Sequence, residues 1–323
     1  MNAIFKGVRA LAGLACAGLA AIAGAQDFPT KQVTLVVPYP AGTSTDIMAR
    51  LIAAPLATRL KQSVVVENRA GAGGAVGVRY LKDQRPDGYT FGLIASGNVI
   101  QPWMQKDMPF DVRKDFVHLT LMYKGLYVVN VIPSFPAKTF QEFLAYVKAN
   151  PKKVFFGSSG TGTTTHLGGE LINQLAGTQM VHVPFKGSPE VYAGAGSGDI
   201  QMLLDLWGTS RPMIESGRIR PLAVTSKTRA AVLPNLPAVD ELVPGVEVFA
   251  WTGFVAPLAT PPAVANRLIT DLRASMAQPD IQKRFADLGV DIGGQSPQEF
   301  TAFINADYDK WGRVIKAAGI KQE

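Results

Sequence analysis

The chain has 323 residues and a net charge of +7, and this length exceeds what one hydrophobic core usually organises, so two domains are predicted. Lys and Arg are scattered rather than clustered, which argues against a nucleic-acid partner and favours a solvated basic surface. The single cysteine, Cys16, lies near the N-terminus, so a chain cleaved after residue 25 has neither a disulfide nor a thiol nucleophile.

Residues 1–25 have the pattern of a cleaved signal peptide, in which Lys6 and Arg9 precede an uncharged run that ends in Ala-Gly-Ala. A membrane anchor is the alternative, but the run is short and rich in Ala and Gly. Cys16 raises lipoprotein processing as a second alternative, although Gly13 occupies the position where Leu is favoured. The sequence therefore predicts export to the periplasm as a soluble protein.

Short β-branched runs then alternate with longer amphipathic stretches, which is typical of an α/β fold. The predicted elements are a strand at 33–37, a helix at 46–60, a strand at 63–67, a Gly-rich turn at 71–77 with a helix to 82, strands at 89–95 and 154–156, a helix at 164–175, and strands at 181–183, 200–204 and 222–225. The C-terminal part is predicted to be helical. Pro262 suits a first helical position, Gly289 suits a C-terminal cap, and a capping box at 296–299 opens a last helix toward Lys316.

Two apolar segments, 121–132 and 246–257, are interpreted as crossings between domains. They predict a discontinuous first lobe made of 26–125 and 249–323, a second lobe made of 126–248, and a cleft between the two lobes.

The loop at 39–46 joins a predicted strand end to a helix start, where unpaired N–H groups and the helix dipole favour an anion. Thr43, Ser44 and Thr45 add hydroxyl donors, although Ser and Thr also favour this position simply as helix caps. Asp46 cannot donate to a carboxylate when it is ionised, so we interpret it as a residue that caps the helix or orients the loop.

A second polar loop, at 158–165, repeats this logic with glycines that bring the backbone close and hydroxyls that face a cleft. It lacks the Gly-Lys-Ser/Thr ending of a phosphate-binding P-loop. Thr161 also breaks the G-x-S-x-G pattern of a hydrolase nucleophile. Val76 breaks the dinucleotide fingerprint in the Gly-rich turn, and the three histidines show no metal-ligand spacing. No cofactor or metal is therefore expected.

Beyond the two loops, Lys186 is the cation considered for the pocket, either contacting a ligand's second end or simply solvated. Asp205 follows an apolar strand, at a position where clefts form, and is interpreted as selecting an ammonium or hydroxyl group. Trp207 or Phe185 would stack on a flat ligand or pack in the core, and both alternatives stay open.

Eight motifs occur in order along the chain and resemble those of the Bug-type receptors, the extracytoplasmic solute-binding proteins of tripartite tricarboxylate transporters. They are Val-Pro-Tyr-Pro-Ala-Gly-Thr-Ser-Thr-Asp (37–46), Val-Glu-Asn-Arg-Ala-Gly-Ala-Gly-Gly (66–74), Pro-Asp-Gly-Tyr-Thr (86–90), Asp-Phe (115–116), Gly-Ser-Ser-Gly-Thr-Gly-Thr-Thr-Thr-His-Leu (157–167), His-Val-Pro-Phe-Lys-Gly (182–187), Leu-Ala-Val-Thr-Ser (222–226) and Leu-Pro-Asn-Leu-Pro (233–237). The chain departs from the family pattern at Thr43, Phe185 and Trp207, which leaves the ligand's identity open.

The resemblance implies a type II-like periplasmic-binding-protein fold, with two α/β lobes joined by two crossing strands and a ligand cleft between them. It implies a small carboxylate ligand (an amino acid, a di- or tricarboxylate, or an aromatic acid) held by one loop from each lobe. Together with the residue-based interpretation, it predicts these ligand contacts: Tyr39, Ala41, Gly42, Thr43, Ser44, Thr45, Asp46, Ser158, Ser159, Gly160, Thr161, Thr163, Lys186 and Asp205.

The expected function is capture of the carboxylate by a monomeric receptor and its delivery to membrane subunits of a transporter. Two alternatives remain: a ligand sensor or scaffold that docks a membrane partner, and a periplasmic hydrolase or decarboxylase. The enzyme alternative has no triad, metal cluster or cofactor motif in its favour, so no enzymatic activity is expected.

Overall fold

A computed structural model describes residues 28–320, so the predicted signal peptide lies outside the described residues. The strands are β1 (Val33–Val37), β2 (Val64–Asn68), β3 (Thr90–Ala95), β4 (Phe116–Val131), β5 (Phe155–Ser158), β6 (Val181–Pro184), β7 (Met202–Leu206), β8 (Arg220–Val224), β9 (Phe249–Pro257) and β10 (Val290–Ile292). The helices are α1 (Ser44–Leu60), α2 (Ala75–Lys82), α3 (Ser96–Met104), α4 (Phe140–Ala149), α5 (Thr164–Ala176), α6 (Ser188–Ser197), α7 (Trp207–Glu215), α8 (Val239–Leu242), α9 (Pro262–Met276), α10 (Pro279–Asp287) and α11 (Pro297–Ala317).

The first lobe is built on parallel strands in the order β2-β1-β3, followed by antiparallel β9 and β4. Val33 and Leu35 of β1 are fully buried, and Val36 on the opposite face is also buried. Burial on both faces is expected of a parallel strand that has helices on each side of the sheet.

The second lobe repeats this order with β6-β5-β7, again with the first strand of the set in the middle. Antiparallel β4 lies beside β7 and also pairs with β8. In both lobes the sequence alternates strand and helix, so the α/β class predicted from the sequence is confirmed.

The 16-residue strand β4 runs through both lobes. It pairs with β9 as far as Leu126, opposite Phe249, and it pairs with β7 from Tyr127, opposite Leu206. The polypeptide returns to the first lobe along β9. Just before this strand, the Val248 N–H still donates to the Thr225 carbonyl of the second lobe, so the return begins at β9. The two crossing strands are therefore β4 and β9, while the lobe boundaries at residues 126 and 248 stay a prediction.

Helix α11 also contacts both lobes. Phe300 and Ile304 in its first half belong to a core cluster of the first lobe that includes Trp251. Trp311 and Val314 in its second half lie in the main core of the second lobe. The C-terminal helix is therefore a third connection between the lobes, which the sequence pattern did not indicate.

Two predicted boundaries differ from the structure in ways that affect the site. Helix α1 begins at Ser44 rather than at 46, because Thr43 is extended and its side chain accepts a hydrogen bond from the Asp46 N–H. The strand predicted at 200–204 is β7, at Met202–Leu206, so Asp205 lies inside the strand. Among residues 28–320, no helix is long and apolar enough to cross a bilayer.

Candidate functional site: two matched cradles across a cleft

The strand order determines where a cleft can form in each lobe. Because β1 and β5 each lie between the next two strands of the chain, connections leave them in opposite directions and open a crevice at their carboxyl ends. In the first lobe, the β1–α1 loop and the start of α3 flank this crevice. In the second lobe, the β5–α5 loop and the start of α7 do so.

Residues 39–46 form a turn that we call the first cradle. Gly42 adopts a left-handed φ of 82°, and its N–H donates to Asp46 Oδ2 at 2.8 Å. The Thr43 hydroxyl donates to the Pro40 carbonyl at 2.9 Å and accepts from the Asp46 N–H at 3.4 Å. The side chains of Thr43 and Asp46, at the start of α1, therefore fix the conformation of this turn.

Residues 158–166 form the second cradle and have the same hydrogen-bonding scheme. Gly162 has a φ of 76°, and its N–H donates to His166 Nδ1 at 3.0 Å. The Thr163 hydroxyl donates to the Gly160 carbonyl at 2.6 Å and accepts from the His166 N–H at 3.4 Å. The shared sequence signal, Gly-Thr-Ser/Thr-Thr at 42–45 and 162–165, was present but not recognised as a repeat.

Each cradle leaves two helix-start amides without an acceptor. Across residues 28–320, the N–H groups of Ser44 and Thr45, and those of Thr164 and Thr165, donate to no protein atom. Amides at these positions point along the helix axis, and the positive end of the helix dipole adds to their attraction for an anion. The two cradles thus offer four unused donors.

The second cradle contacts the first lobe at the start of α3, at the bottom of the cleft. Ser96 Oγ at the start of α3 lies 3.3 Å from Thr164 Oγ1 at the start of α5, and each residue is only 7% exposed. Thr45 Oγ1 lies 3.3 Å from the hydroxyl of Tyr123. Ser96 and Tyr123 were missed by sequence reasoning; the signal for Ser96 was a Ser-Gly-Asn segment directly after a strand.

Three tyrosines extend this polar floor. Burial raises the pKa of Tyr39, Tyr123 and Tyr127, and the neighbouring phenols raise those of Tyr39 and Tyr127 further. All three phenols therefore stay protonated at neutral pH. A protonated phenol can donate a hydrogen bond to a carboxylate, so these residues add uncharged donors to the cleft.

Asp46 orients the first cradle. Its carboxylate accepts from Arg50 Nε at 3.0 Å and from Asn68 Nδ2 at 2.8 Å, as well as from Gly42. Burial raises the pKa of Asp46, but these hydrogen bonds outweigh burial and hold that pKa below its ordinary value. Two roles were predicted for Asp46, capping the helix or orienting the loop. Since Thr43 is the residue that caps α1, the hydrogen bonds of Asp46 support the second role.

Two histidines orient the second cradle. The rings of His166 and His182 stack with centroids 3.7 Å apart, and His182 Nε2 lies 2.6 Å from Ser158 Oγ. Burial lowers the pKa of both histidines to about 4, with a contribution from His182 in the case of His166, so both are neutral at pH 7. The Ser158 hydroxyl also donates to the Gly160 carbonyl, so this side chain shapes the loop from inside.

The remaining predicted residues lie in different surroundings. Both oxygens of Asp205 accept hydrogen bonds within the second lobe, from the Tyr192 hydroxyl at 2.6 Å and the Leu206 N–H at 2.8 Å. Burial raises the pKa of this carboxyl despite those donors. Lys186 is exposed on the surface. Phe185 packs in the second lobe against the small faces of Gly157 and Gly194 rather than lining the cleft.

A two-lobed α/β fold with a matched helix start in each lobe beside the cleft defines a solute-binding protein of the periplasmic type. The family model of the tripartite tricarboxylate transporter receptors, TctC, matches residues 48–320, and the chain belongs to this family. The resemblance to Bug-type receptors is thereby confirmed. Within the described residues, no group of three His, Cys, Asp or Glu side chains is arranged to hold a metal ion.

Three solved structures show the same fold. A protein of R. palustris solved with adipate is 34% identical, covers 92% of this chain and 100% of its own length, and has a TM-score of 0.79. The periplasmic binding protein BugD is 30% identical, with the same coverage and a TM-score of 0.75. MatC of Rhodopseudomonas palustris, solved with bound malate, is 27% identical, covers 89% of this chain and all of its own, and has a TM-score of 0.74.

Proposed function

We propose that this protein binds a small carboxylate between its two cradles and delivers it to the membrane subunits of a tripartite tricarboxylate transporter. The observation that carries the proposal is the set of four unused amides, two in each cradle, on matched helix starts of the two lobes, the second of which contacts Ser96 of the first lobe through Thr164. Hydrogen bonds to an ionised acceptor are about twice as strong as neutral ones, so such donors favour a carboxylate over a neutral group.

The cradles bind without a cation of their own. Arg50 lies beside the first cradle, and its guanidinium is bound to Asp46 and Asn68. The charge of a carboxylate held in the cradles is therefore balanced by amides, hydroxyls and helix dipoles.

The relatives solved with ligands support the same substrate class. Adipate and malate both carry two carboxylates, and each was solved with a protein whose fold matches nearly the whole of this chain. For this protein we therefore propose a di- or tricarboxylate ahead of an amino acid or an aromatic acid. The cradle residues named above, with Ser96, Tyr39 and Tyr127, form the proposed contact set.

A thermal-shift screen tests this function. Purified protein is heated with short dicarboxylates, citrate, amino acids and aromatic acids, and each acid is paired with its amide as a matched neutral control. A ligand present at 100 times its Kd stabilises the folded state by about 2.7 kcal/mol, which shifts the melting temperature measurably. Stabilisation by amides but not by acids would contradict the proposal.

The same sample addresses the enzyme alternative. The proposed binder returns its ligand chemically unaltered after a long incubation, as read by mass spectrometry. A product that forms with the intact protein, and that is lost when Ser96 or Thr164 is replaced, would instead place the protein among the enzymes.

A further inference from the structure

A cavity of about 160 Å³ leads away from the first cradle between the lobes. Its lining includes Ser44, which carries an unused amide, and Tyr123, which contacts Thr45. The first turn of α7, from Trp207 to Arg211, also lines it. A wider depression of about 400 Å³ lies elsewhere on the second lobe, and neither cradle lines it.

The middle of the cavity is apolar and belongs to both lobes. Met48, Leu288 and Val290 line it from the first lobe, and Leu206 lines it from the second. Its volume equals that of about five water molecules at ~30 Å³ each. Burial of apolar surface away from water is favourable, so these walls suit a short alkyl chain.

Arg211 lines the cavity together with Asp287, whose carboxylate is paired with Lys283 at 2.7 Å. Arg211 Nε donates to Glu215 Oε1 at 2.7 Å, and within the described chain its two terminal nitrogens donate to no acceptor. A guanidinium presents its donors in a planar fork that matches a carboxylate. Lys186, the cation considered from the sequence, does not line this cavity.

Trp207 is the bulkiest side chain that lines the cavity. Its indole occupies the space left by the missing side chain of Gly289 in the turn between α10 and β10, where an added Cβ would collide with the ring. The Trp207 side chain of the second lobe therefore packs against the first lobe and takes up space that a longer ligand would need.

We propose that Arg211 and Trp207 select the ligand: Arg211 binds a second carboxylate, and Trp207 limits the ligand to a diacid of roughly four to six carbons in total. The inference rests on the proposed function, because it takes the first carboxylate to be held in the cradles. The substrate class is then a short linear dicarboxylate rather than a monocarboxylate, an aromatic acid or a long-chain diacid.

Isothermal titration with two matched series tests this inference. The diacids are succinate, adipate, suberate and sebacate, and the monoacids are butyrate and hexanoate. The wild-type protein is expected to bind succinate or adipate at least tenfold more tightly than the monoacid of equal length. Arg211→Gln is expected to lose that preference while still binding monoacids, whereas Glu215→Gln, the matched control, keeps it.

Trp207→Ala is expected to shift the preferred diacid to suberate or sebacate, and Trp207→Leu serves as a second variant if the first does not fold. An unchanged ratio of diacid to monoacid affinity in Arg211→Gln overturns the role of Arg211. An unchanged length preference in a folded Trp207 variant overturns the role of Trp207. If no mono- or dicarboxylate binds to the wild-type protein, the proposed function itself fails.

Discussion

Ser96 Oγ and Thr164 Oγ1 lie 3.3 Å apart although 68 residues separate them in the chain. Ser96 follows β3 in the first lobe, and Thr164 opens α5 in the second, so this contact joins the lobes at the floor of the cleft. In the proposed function, a ligand carboxylate bound beside it would reach the helix starts of both lobes at once. Binding and lobe closure would then be coupled, because only the closed arrangement would give the ligand both sets of donors.

The first prediction isolates a backbone donor. Ser44→Pro removes the N–H at the first helical position, where proline is well tolerated, and Thr43 already has the extended conformation that precedes proline. The lost hydrogen bond to a charged ligand should cost about 1.5–3 kcal/mol, or roughly tenfold to a hundredfold in Kd. Titration calorimetry measures the affinity, and thermal unfolding is expected to show an unchanged melting temperature.

Ser44→Ala is the matched control, because it removes the hydroxyl and keeps the amide. It is expected to weaken binding less than Ser44→Pro does. Equal affinities for the two variants and the wild-type protein would show that the Ser44 amide does not contribute to ligand binding.

The second prediction concerns Asp46, which holds the first cradle through Gly42. Asp46→Ala leaves the donors of Gly42 and Asn68 without a buried acceptor, at an expected cost of about 1–3 kcal/mol in stability, and it weakens ligand binding. Arg50→Gln removes a partner that is half exposed, so it should cost under about 1 kcal/mol and leave affinity nearly unchanged. Urea unfolding and titration distinguish them, and equal losses in both variants would contradict a special role for Asp46.

The third prediction concerns pH. Burial lowers the pKa of His166 and His182 to about 4, compared with 6.5 for a free histidine. Between these two values the unfolded chain binds protons that the folded protein does not, so stability is complete above pH 6.5 and falls as the pH decreases toward 4. Binding should weaken only as the pH approaches 4, because His166 is protonated in the folded protein only there and then cannot accept the Gly162 N–H.

Urea unfolding between pH 7.5 and 4.5 measures the effect, which should be smaller in His182→Gln. His118→Gln is the control: burial lowers the pKa of His118 too, but it bonds to Thr301 in the first lobe, so the variant should alter only the pH dependence of stability. A ligand affinity that stays constant down to pH 4 would disprove the proposed link between His166 and the second cradle.

The fourth prediction concerns closure. We expect the crossings near Val128 and Val248 to carry most of the backbone change, and a saturating ligand to reduce the radius of gyration measured by small-angle scattering. Helix α11 connects the lobes a third time, so Trp311→Ala should cost about 3–5 kcal/mol in stability and enlarge the radius without ligand. Phe300→Ala, in the first-lobe half of α11, should destabilise the protein without that enlargement.

A radius that stays the same at saturation, with both states matching a closed form, would reduce the mechanism to a preformed pocket. An equal change of radius in the Trp311 and Phe300 variants would mean that α11 does not restrain the lobes.

Local chemistry made much of the site predictable. Both loops carry a short pattern: a strand end, then a glycine, then a threonine cap. The conformation of this pattern depends on neighbouring residues, so the loops carrying Thr43 and Thr163 could be located from the sequence. Helix boundaries were less certain, because Thr43 and Asp46 are both good caps and only the backbone conformation distinguishes them. Lys186 was considered for the pocket because it follows a strand, but the direction of its side chain depends on packing.

By itself, the sequence determined the alternation of strands and helices, the two glycine- and threonine-containing loops and the family, because these depend on residues close together in the chain. Only the tertiary structure decided that Ser96 meets Thr164, that His182 supports the second cradle, and that Arg211 and Trp207 line one cavity. Those contacts depend on the strand order, which brings the carboxyl ends of β1, β3, β5 and β7 to a common cleft. No local pattern encodes that order, since it results from the burial of both sheets against their helices.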